Sequence, residues 1–271
     1  VTGTRRGAGA TGAPITLLTD FGLADPFVGV MKGVIAALAP GARTIDLTHQ
    51  IPPQDVAAGA FWLAHSVPYF PRGTVHLAVV DPGVGTARRA LAAWGRGHFF
   101  VAPDNGLLDR IVPSLESIHV LDADALGEML RQALPGARPR STTFHGRDVF
   151  APAAALLGRG ETLAALGPAL SGEPPVTLGA QPPRVEVVDR FGNLITNVPW
   201  PPDGVGPGEA PALVRVRGRV ARWVETYGEA EPGECVALLG SVGTVEIAVR
   251  DGSAAHELGA GPREPVEVVA R

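Results

Sequence analysis

The sequence predicts an α/β protein in two parts: a mostly parallel N-terminal α/β sandwich domain, and a smaller C-terminal domain that is antiparallel and barrel-like. Three observations lead there. Short apolar runs alternate with helical patterns early in the chain, the mark of a parallel sheet with right-handed crossovers. Residues 165–183 are rich in Gly and Pro, as linkers are. Beyond them, short β-patterned runs follow one another between turn residues. The expected organisation is a flexible leader over 1–13, the α/β domain over 14–170, a linker over 171–183 and the β-rich domain over 184–271.

Each element has a local cause. Ile15-Thr16-Leu17-Leu18 is an apolar run that reads as a buried parallel strand, with the polar cluster Thr19-Asp20-Phe21-Gly22 at its C-terminal end. A helix follows, with Asp25 expected as its cap and Pro26 at its first position. Its apolar face is predicted from Phe27, Val30, Met31, Val34, Ile35 and Leu38, and Pro40-Gly41 stops it. Thr44–Leu47 reads as a second strand, and Asp55 as the cap of a second helix running through Phe61 and Trp62. Val75–Val80 is a third strand, ending at Asp81-Pro82-Gly83, and a further helix is expected near Val149–Leu157. In the second domain the predicted strands are Val185–Val188, Leu213–Val216, Cys235–Leu238 and Val245–Val249.

Composition narrows the classes of function. A chain of 271 residues with 45% hydrophobic and 18% charged residues can bury a substantial core. A net charge of −4 argues against a sequence-independent grip on nucleic acid. No apolar run approaches the roughly 20 residues a membrane span needs. The opening VTGTRRGAGATGA is basic without a following apolar core, unlike a secretory signal. A single cysteine, Cys235, leaves no internal disulfide and fits a cytoplasmic protein, where it reads as a small buried apolar residue. No Cys/His grouping at ligand spacing is present, so no metal is expected.

Four polar clusters sit where α/β sheets and domain junctions keep their chemistry. Asp20, in Thr19-Asp20-Phe21-Gly22, either accepts hydrogen bonds from a ribose diol or caps the next turn. Asp81-Pro82-Gly83-Val84-Gly85-Thr86, with Arg88 and Arg89 behind it, lets backbone approach a ligand, or is plain turn chemistry. It is neither a dinucleotide fingerprint nor a phosphate loop. Thr142-Thr143-Phe144-His145-Gly146-Arg147-Asp148 places a histidine just before an apolar helix. Asp189-Arg190-Phe191-Gly192-Asn193, followed by Asn197, is a hairpin turn with an unexpected aromatic residue.

Singly these are weak; in order they are specific. ITLLTDFG, IDLTHQIPPQDV, VHLAVVDPGVGTARR, FVAPDNGLL, TTFHGRD, FAPAAALL, DRFGNLITN and GSVGTVEIAVRDGSAA, spread from Ile15 to the C-terminus, resemble the S-adenosylmethionine hydroxide adenosyltransferases. These adenosine-forming hydrolases are related to the fluorinase and chlorinase that make 5′-halo-5′-deoxyadenosine. The resemblance implies that Asp81, Arg88 and His145 surround a nucleophilic water, and that Asp20, beside Phe21, holds the ribose hydroxyls. It further implies that Asp189 and Ser241 take the two ends of methionine, that Asn193 hydrogen-bonds adenine, and that Tyr227 stacks on it. The fluorinase has Tyr where this chain has Asp81, Ser where it has Gly146, Trp at Gln54, and Arg at Val242, whose backbone N–H remains able to serve the carboxylate. The fluorinase loop inserted near the stretch Ala92–Ala102 is missing.

The implied reaction is hydrolysis of S-adenosylmethionine to adenosine and methionine, in line at the 5′ carbon, with S-adenosylmethionine as substrate and no cofactor. Halide-dependent adenosyl transfer, or non-catalytic binding of the same ligand, are the alternatives; a carboxylate at position 81 facing the nucleophile disfavours halide. Arg88 is expected to stabilise a captured hydroxide while Asp81 and His145 orient it; alternatively His145 takes the proton during attack. The resemblance also implies a homotrimer with active sites at subunit interfaces.

Overall fold

The structure, a computed structural model, describes residues 13–138, 140–204, 206, 210, 211 and 213–269, so the expected leader lies outside them apart from Ala13. The chain divides after Leu178 into two compact units.

The first unit contains β1 (Ile15–Thr19), α1 (Phe27–Leu38), β2 (Thr44–Thr48), α2 (Val56–Ser66), β3 (Val75–Val79), β4 (Ala90–Gly95), β5 (His98–Pro103), β6 (Leu115–Val120), α3 (Ala123–Ala133) and α4 (Ala151–Gly158). The strands form one sheet in the order β2-β1-β3-β5-β4-β6. β2, β1, β3 and β5 run parallel, while β4 is antiparallel to both β5 and β6. β1 and β3 are buried along their whole length, as strands covered on both faces must be. Ile15, Leu17, Val75, Leu77 and Val79 pack in one core with residues of α1, α3 and α4. Gly59, in α2, lies against Leu18 and Val80 on alternate positions, so α2 covers the opposite face.

The β4–β5 hairpin closes through Arg96 and Gly97, both at positive φ (52° and 83°), with Gly95 paired to His98. Two positive φ values match the strand twist in a two-residue turn, and leave no room for an inserted loop there.

Local expectations hold where a side chain has one geometric job. Asp55 caps α2, accepting from Ala58 N–H at 3.0 Å. Asp25 does not cap α1: Pro26 occupies the cap position, and no side chain bonds the helix end. The proline moves the helix start one residue on, leaving the Asp25 carboxylate a residue too early to reach the first amides. The buried face of α1 is Val28, Met31, Val34, Ile35 and Leu38, whereas Phe27 and Val30, expected there, are exposed. The helix expected near Val149–Leu157 begins earlier, as a π-helical turn over Gly146–Phe150 that runs into α4.

The second unit holds β7 (Val185–Val188), β8 (Leu194–Pro199), β9 (Leu213–Val216), β10 (Arg219–Trp223), β11 (Cys235–Leu239), β12 (Thr244–Val249), α5 (Ala254–Leu258) and β13 (Val266–Val269). They form a seven-stranded sheet in the order β13-β9-β10-β11-β12-β8-β7. The sheet curls until its edges meet: Val185 N–H donates to Glu264 O, Arg263 N–H to Val185 O, and Arg184 bridges Pro265. Inward residues of the strands, including Val185, Leu194, Val214, Ala237, Ile247 and Val266, make its core. The antiparallel expectation fails for one pair: β10 and β11 run parallel, because residues 224–234 cross over between them instead of turning back.

Asp55→Ala is expected to lower stability to urea by about 1 kcal/mol through loss of the α2 cap. Asp25→Ala, without a capping bond to lose, is expected to change it by less than about 0.5 kcal/mol. Equal losses in urea titrations of the two variants would contradict the assigned helix starts.

Candidate active site

Parallel strands bring chemistry to one edge. Thr19 pairs with Val79, so Asp20 and Asp81 leave the sheet at the same C-terminal edge, one and two residues beyond matched positions. Asn105 buttresses the second of these, its Nδ2 donating to Val80 O at 2.8 Å.

From Asp81 the chain makes tight turns: Val84 N–H donates to Asp81 O, Thr86 N–H and Oγ1–H to Gly83 O, and Arg88 N–H to Thr86 Oγ1. This returns Arg88 to the carboxylate seven residues before it. Arg88 Nε donates to Asp81 Oδ1 at 2.8 Å and Nη2 donates to Asp81 Oδ2, a side-on fork in which both carboxylate oxygens are engaged. The pair is nearly dry, with 9% of the Arg88 side chain and 5% of Asp81 exposed. The guanidinium also lies over the fully buried Phe150 ring, 5.2 Å from its centroid.

His145 completes the cluster, its Nδ1 lying 3.0 Å from Arg88 Nη2. Guanidinium is only a donor, so Nδ1 accepts and the ring proton sits on Nε2. Burial, and then the Arg88 charge, hold the imidazole below its ordinary value of 6.5. His145 is therefore a neutral ring offering an N–H donor. Four of the five Arg88 N–H groups are engaged, by Asp81 twice, by His145, and by Arg89 O at 3.3 Å. One, on Nη1, has no partner among the described residues, and each Asp81 oxygen keeps a lone pair. The cluster thus carries N–H donors on Arg88 and His145 and an acceptor on Asp81.

Two devices hold the His145 segment. Asp148, 1% exposed, accepts from Arg147 and from Ser141 N–H at 2.7 Å. Gly85, at φ +80°, lets the Thr142 carbonyl approach: a Cβ there would lie 2.6 Å from Thr142 O. Phe21, Phe27 and Phe144 meet edge to face, at centroid distances of 5.1–6.0 Å, and form an apolar wall around Gly146. Asp20 Oδ2 accepts from Gln54 N–H at 2.8 Å, and its other oxygen has no hydrogen bond among the described residues.

The remaining residues singled out from sequence lie in the second unit. Asp189 and Asn193 close the β7–β8 turn: Asp189 Oδ1 accepts from Phe191 N–H and Asn193 N–H, and Oδ2 from Asn193 Nδ2 at 3.1 Å. Asn193 Oδ1 has no hydrogen bond among the described residues and can accept from an amino group. Phe191, the aromatic residue singled out in this turn, is 76% exposed. Tyr227 donates its hydroxyl to Glu246, a buried residue of β12. Burial, with Glu246 beside it, pushes the Tyr227 phenol up, and burial likewise raises the Glu246 carboxyl. Ser241 and Val242 form the β11–β12 turn, whose Gly240 packs against Glu246. Glu246 escaped sequence reasoning; the only signal was an acidic residue inside an apolar strand. No group of three metal-ligating side chains occurs among the described residues.

An α/β unit carrying an Asp–Arg–His cluster at its strand ends, followed by a curled β unit, defines a two-domain class. Two family models match it: the SAM hydroxide adenosyltransferase N-terminal domain over residues 15–167 and the corresponding C-terminal domain over residues 183–267. The chain belongs to the SAM hydroxide adenosyltransferase family. It is 44% identical to an (R)-S-adenosyl-L-methionine hydrolase of Thermus thermophilus, over 94% of this chain and 99% of that protein. A Salinispora arenicola protein of the same name is 43% identical, over 94% and 97%. A fluorinase of Actinoplanes is more distant, at 28% over 71% and 70%. A solved structure of an uncharacterised conserved protein from Thermotoga maritima superposes with a TM-score of 0.83 at 34% identity, over 94% and 99%.

The contact between the two loops of the site makes a contrast testable. Gly85→Ala forces an L-residue to positive φ and pushes Thr142 away, and is expected to cost about 1–3 kcal/mol. It should also return the His145 ring toward ordinary titration, read by histidine NMR. Gly83→Ala meets Arg88 and Thr86 only at 3.5 Å and should be tolerated. A Gly85→Ala protein with unchanged stability and His145 titration would refute the loop contact.

Proposed function

We propose that this protein hydrolyses (R)-S-adenosyl-L-methionine to adenosine and L-methionine. The observation that carries the reading is the near-dry Asp81–Arg88–His145 cluster. It would offer donors and an acceptor to a water, at the sheet edge where Asp20 would hold the ribose. The relatives' named substrate supplies the rest, including the epimer at sulfur.

In the proposed step, an oxygen of water bonds the ribose 5′ carbon as the carbon–sulfur bond breaks. Sulfur keeps the electron pair, methionine leaves neutral at sulfur, and one proton is released. A sulfonium needs no acid to leave, so the protein's task is to place the oxygen in line at roughly 3–3.5 Å. Water near pKa 15.7 and a carboxyl near 3.9 are mismatched at the start. The mismatch closes as the new bond forms, since an oxygen bonded to carbon and still carrying both protons is a strong acid. Asp81 then serves as acceptor late in the step. His145 is spent as an Nε2–H donor and Arg88 as the fixed charge, which favours orientation over a histidine base. Asn193, Tyr227, Asp189, Ser241 and the Val242 N–H are proposed to hold adenine and the methionine ends. The proposed setting is a cytoplasmic homotrimer with active sites at subunit interfaces; a monomer by sedimentation would overturn that assembly.

Incubating both sulfonium epimers in oxygen-18 water tests the reaction. Label in adenosine, from the (R) epimer preferentially, is expected. Label in a methionine-derived alcohol, or 5′-chloro-5′-deoxyadenosine formed with chloride, would overturn the reading. Arg88→Ala is expected to lower kcat by about 10²-fold or more.

The pH dependence has a definite sign. His145 faces Arg88, Asp81, Arg140 and Asp148, and its pKa is depressed, so it stays neutral as pH falls past 6.5 and gains charge only below that. Turnover should therefore be flat from pH 8 to 6.5 and fall at lower pH. A midpoint at or above 6.5 in the kcat/KM profile would rule out the neutral-donor role.

A further inference from the structure

We propose that His49 is a positioning residue that sets the ribose-binding turn through Thr19, and so controls discrimination between ribose and deoxyribose ligands. The inference rests on the reading of Asp20 as the ribose-holding carboxylate.

His49 is 4% exposed and lies just past the end of β2, outside the Asp81–Arg88–His145 cluster. It holds the Asp20 turn at two points. Its carbonyl accepts from Gly22 N–H at 2.8 Å, and its Nδ1 lies 2.8 Å from Thr19 Oγ1. Thr19, itself fully buried, accepts from Phe21 N–H at 3.2 Å. Asp20 is thus flanked by two residues whose positions answer to one histidine.

The direction of each bond follows from what surrounds the ring. Asp46 Oδ1 lies 3.0 Å from His49 Nε2, and Lys32 Nζ lies 2.6 Å from Asp46 Oδ2. The carboxylate sits off the ring's N–H axis, so the contact is electrostatic rather than a straight hydrogen bond. Two lone pairs would repel at that distance, which puts the ring proton on Nε2. Nδ1 must then accept from the Thr19 hydroxyl. With its only hydrogen donated to the ring, Thr19 has lone pairs left for Phe21 N–H. Each group in the series Lys32–Asp46–His49–Thr19–Phe21 is oriented by the one before it. Among the described residues the ring contacts Thr19 and Asp46 and makes no hydrogen bond to the Asp81–Arg88–His145 cluster, which separates positioning from catalysis.

A ribose diol is read by charge-assisted hydrogen bonds, whose strength depends on placement. A turn released at Thr19 keeps Asp20 but loses its aim. The general packing of the unit is unaffected if the space is filled, so the effect should appear in a ratio and not in overall affinity alone.

The test compares binding of adenosine and 2′-deoxyadenosine by calorimetry in wild type, Asp20→Ala, His49→Leu, His49→Asn, Thr19→Val and the Asp20→Ala/His49→Leu double variant. Asparagine can offer an acceptor near the Nδ1 position; leucine cannot. His49→Leu and Thr19→Val are expected to reduce the preference for adenosine about tenfold. His49→Asn should restore most of it, and the double variant should fall no further than Asp20→Ala. Thr19→Val, nearly isosteric, keeps the test open should His49→Leu fail to fold. A wild-type preference that survives both His49→Leu and Thr19→Val overturns the inference alone. Equal binding of the two nucleosides by wild type removes the ribose role of Asp20, and the inference with it.

Discussion

The Arg88–Asp81 ion pair is the constraint on which the rest of the site depends. Both side chains are almost excluded from water, and a buried charge without its partner would cost several kcal/mol. Losing either alone is therefore costly, and neither can move without the other. The fork uses both carboxylate oxygens, which fixes the plane of the guanidinium. That plane presents one N–H to His145 and settles its tautomer. One electrostatic pair thus determines a charge, a ring orientation and a proton position.

The fold supplies this pair from short-range order. Strand pairing at matched register brings the ends of β1 and β3 to one edge, and turns between Asp81 and Arg88 fold the guanidinium back. A glycine at positive φ lets a second loop close against the first. The π-helical turn after His145 then buries Phe150 under the guanidinium. Such turns widen a helix by one residue, and here the distortion falls beside the polar cluster, not in the regular part of α4. In the second unit, the polar residues are held by similar economy: Asp189 spends both oxygens on its own turn, and Tyr227 is anchored at its hydroxyl by a buried carboxylate.

Much of this was legible in the sequence where pattern and geometry coincide. Apolar runs marked β1 and β3 to within one residue, because both are buried along their whole length, and the half-exposed edge strand β2 was placed as closely between two helical patterns. Asp55 was legible as a cap, and Asp25 was not, since a proline between cap and helix changes which residue is the cap. The parallel pairing of β10 with β11 depends on a crossover whose turn residues look like those of a hairpin. Histidines show the limit most clearly. His76 and His98 lie in the sheet core, 3.4 Å apart between ring nitrogens, with burial taking His76 down to about 3. In sequence they differ little from His145 or His49. Only the neighbours separate them: aromatic rings, a threonine and a second histidine for His76, a guanidinium for His145, a threonine and a carboxylate for His49.

The same ion pair bears on the choice between water and halide. A halide accepts hydrogen bonds and cannot donate, so the free lone pairs of Asp81 repel it. At 4 Å and an effective dielectric near 20, one such repulsion is worth about 4 kcal/mol. The Arg88 guanidinium offsets much of that repulsion, so the halide is disfavoured chiefly because it has no proton to give the carboxylate. Water has the opposite fit in the proposed site, because it can both donate to a carboxylate and accept from N–H groups. A substrate bearing a sulfonium adds one positive charge to a cluster whose own charges cancel. Its cation is consumed in the step, so the transition state carries less separated charge than the reactants, and a dry site favours it. Replacing the carboxylate with an uncharged side chain would leave the guanidinium uncompensated and turn the cluster into an anion site. On the proposed reading, the residue at position 81 decides which class of nucleophile the cluster holds.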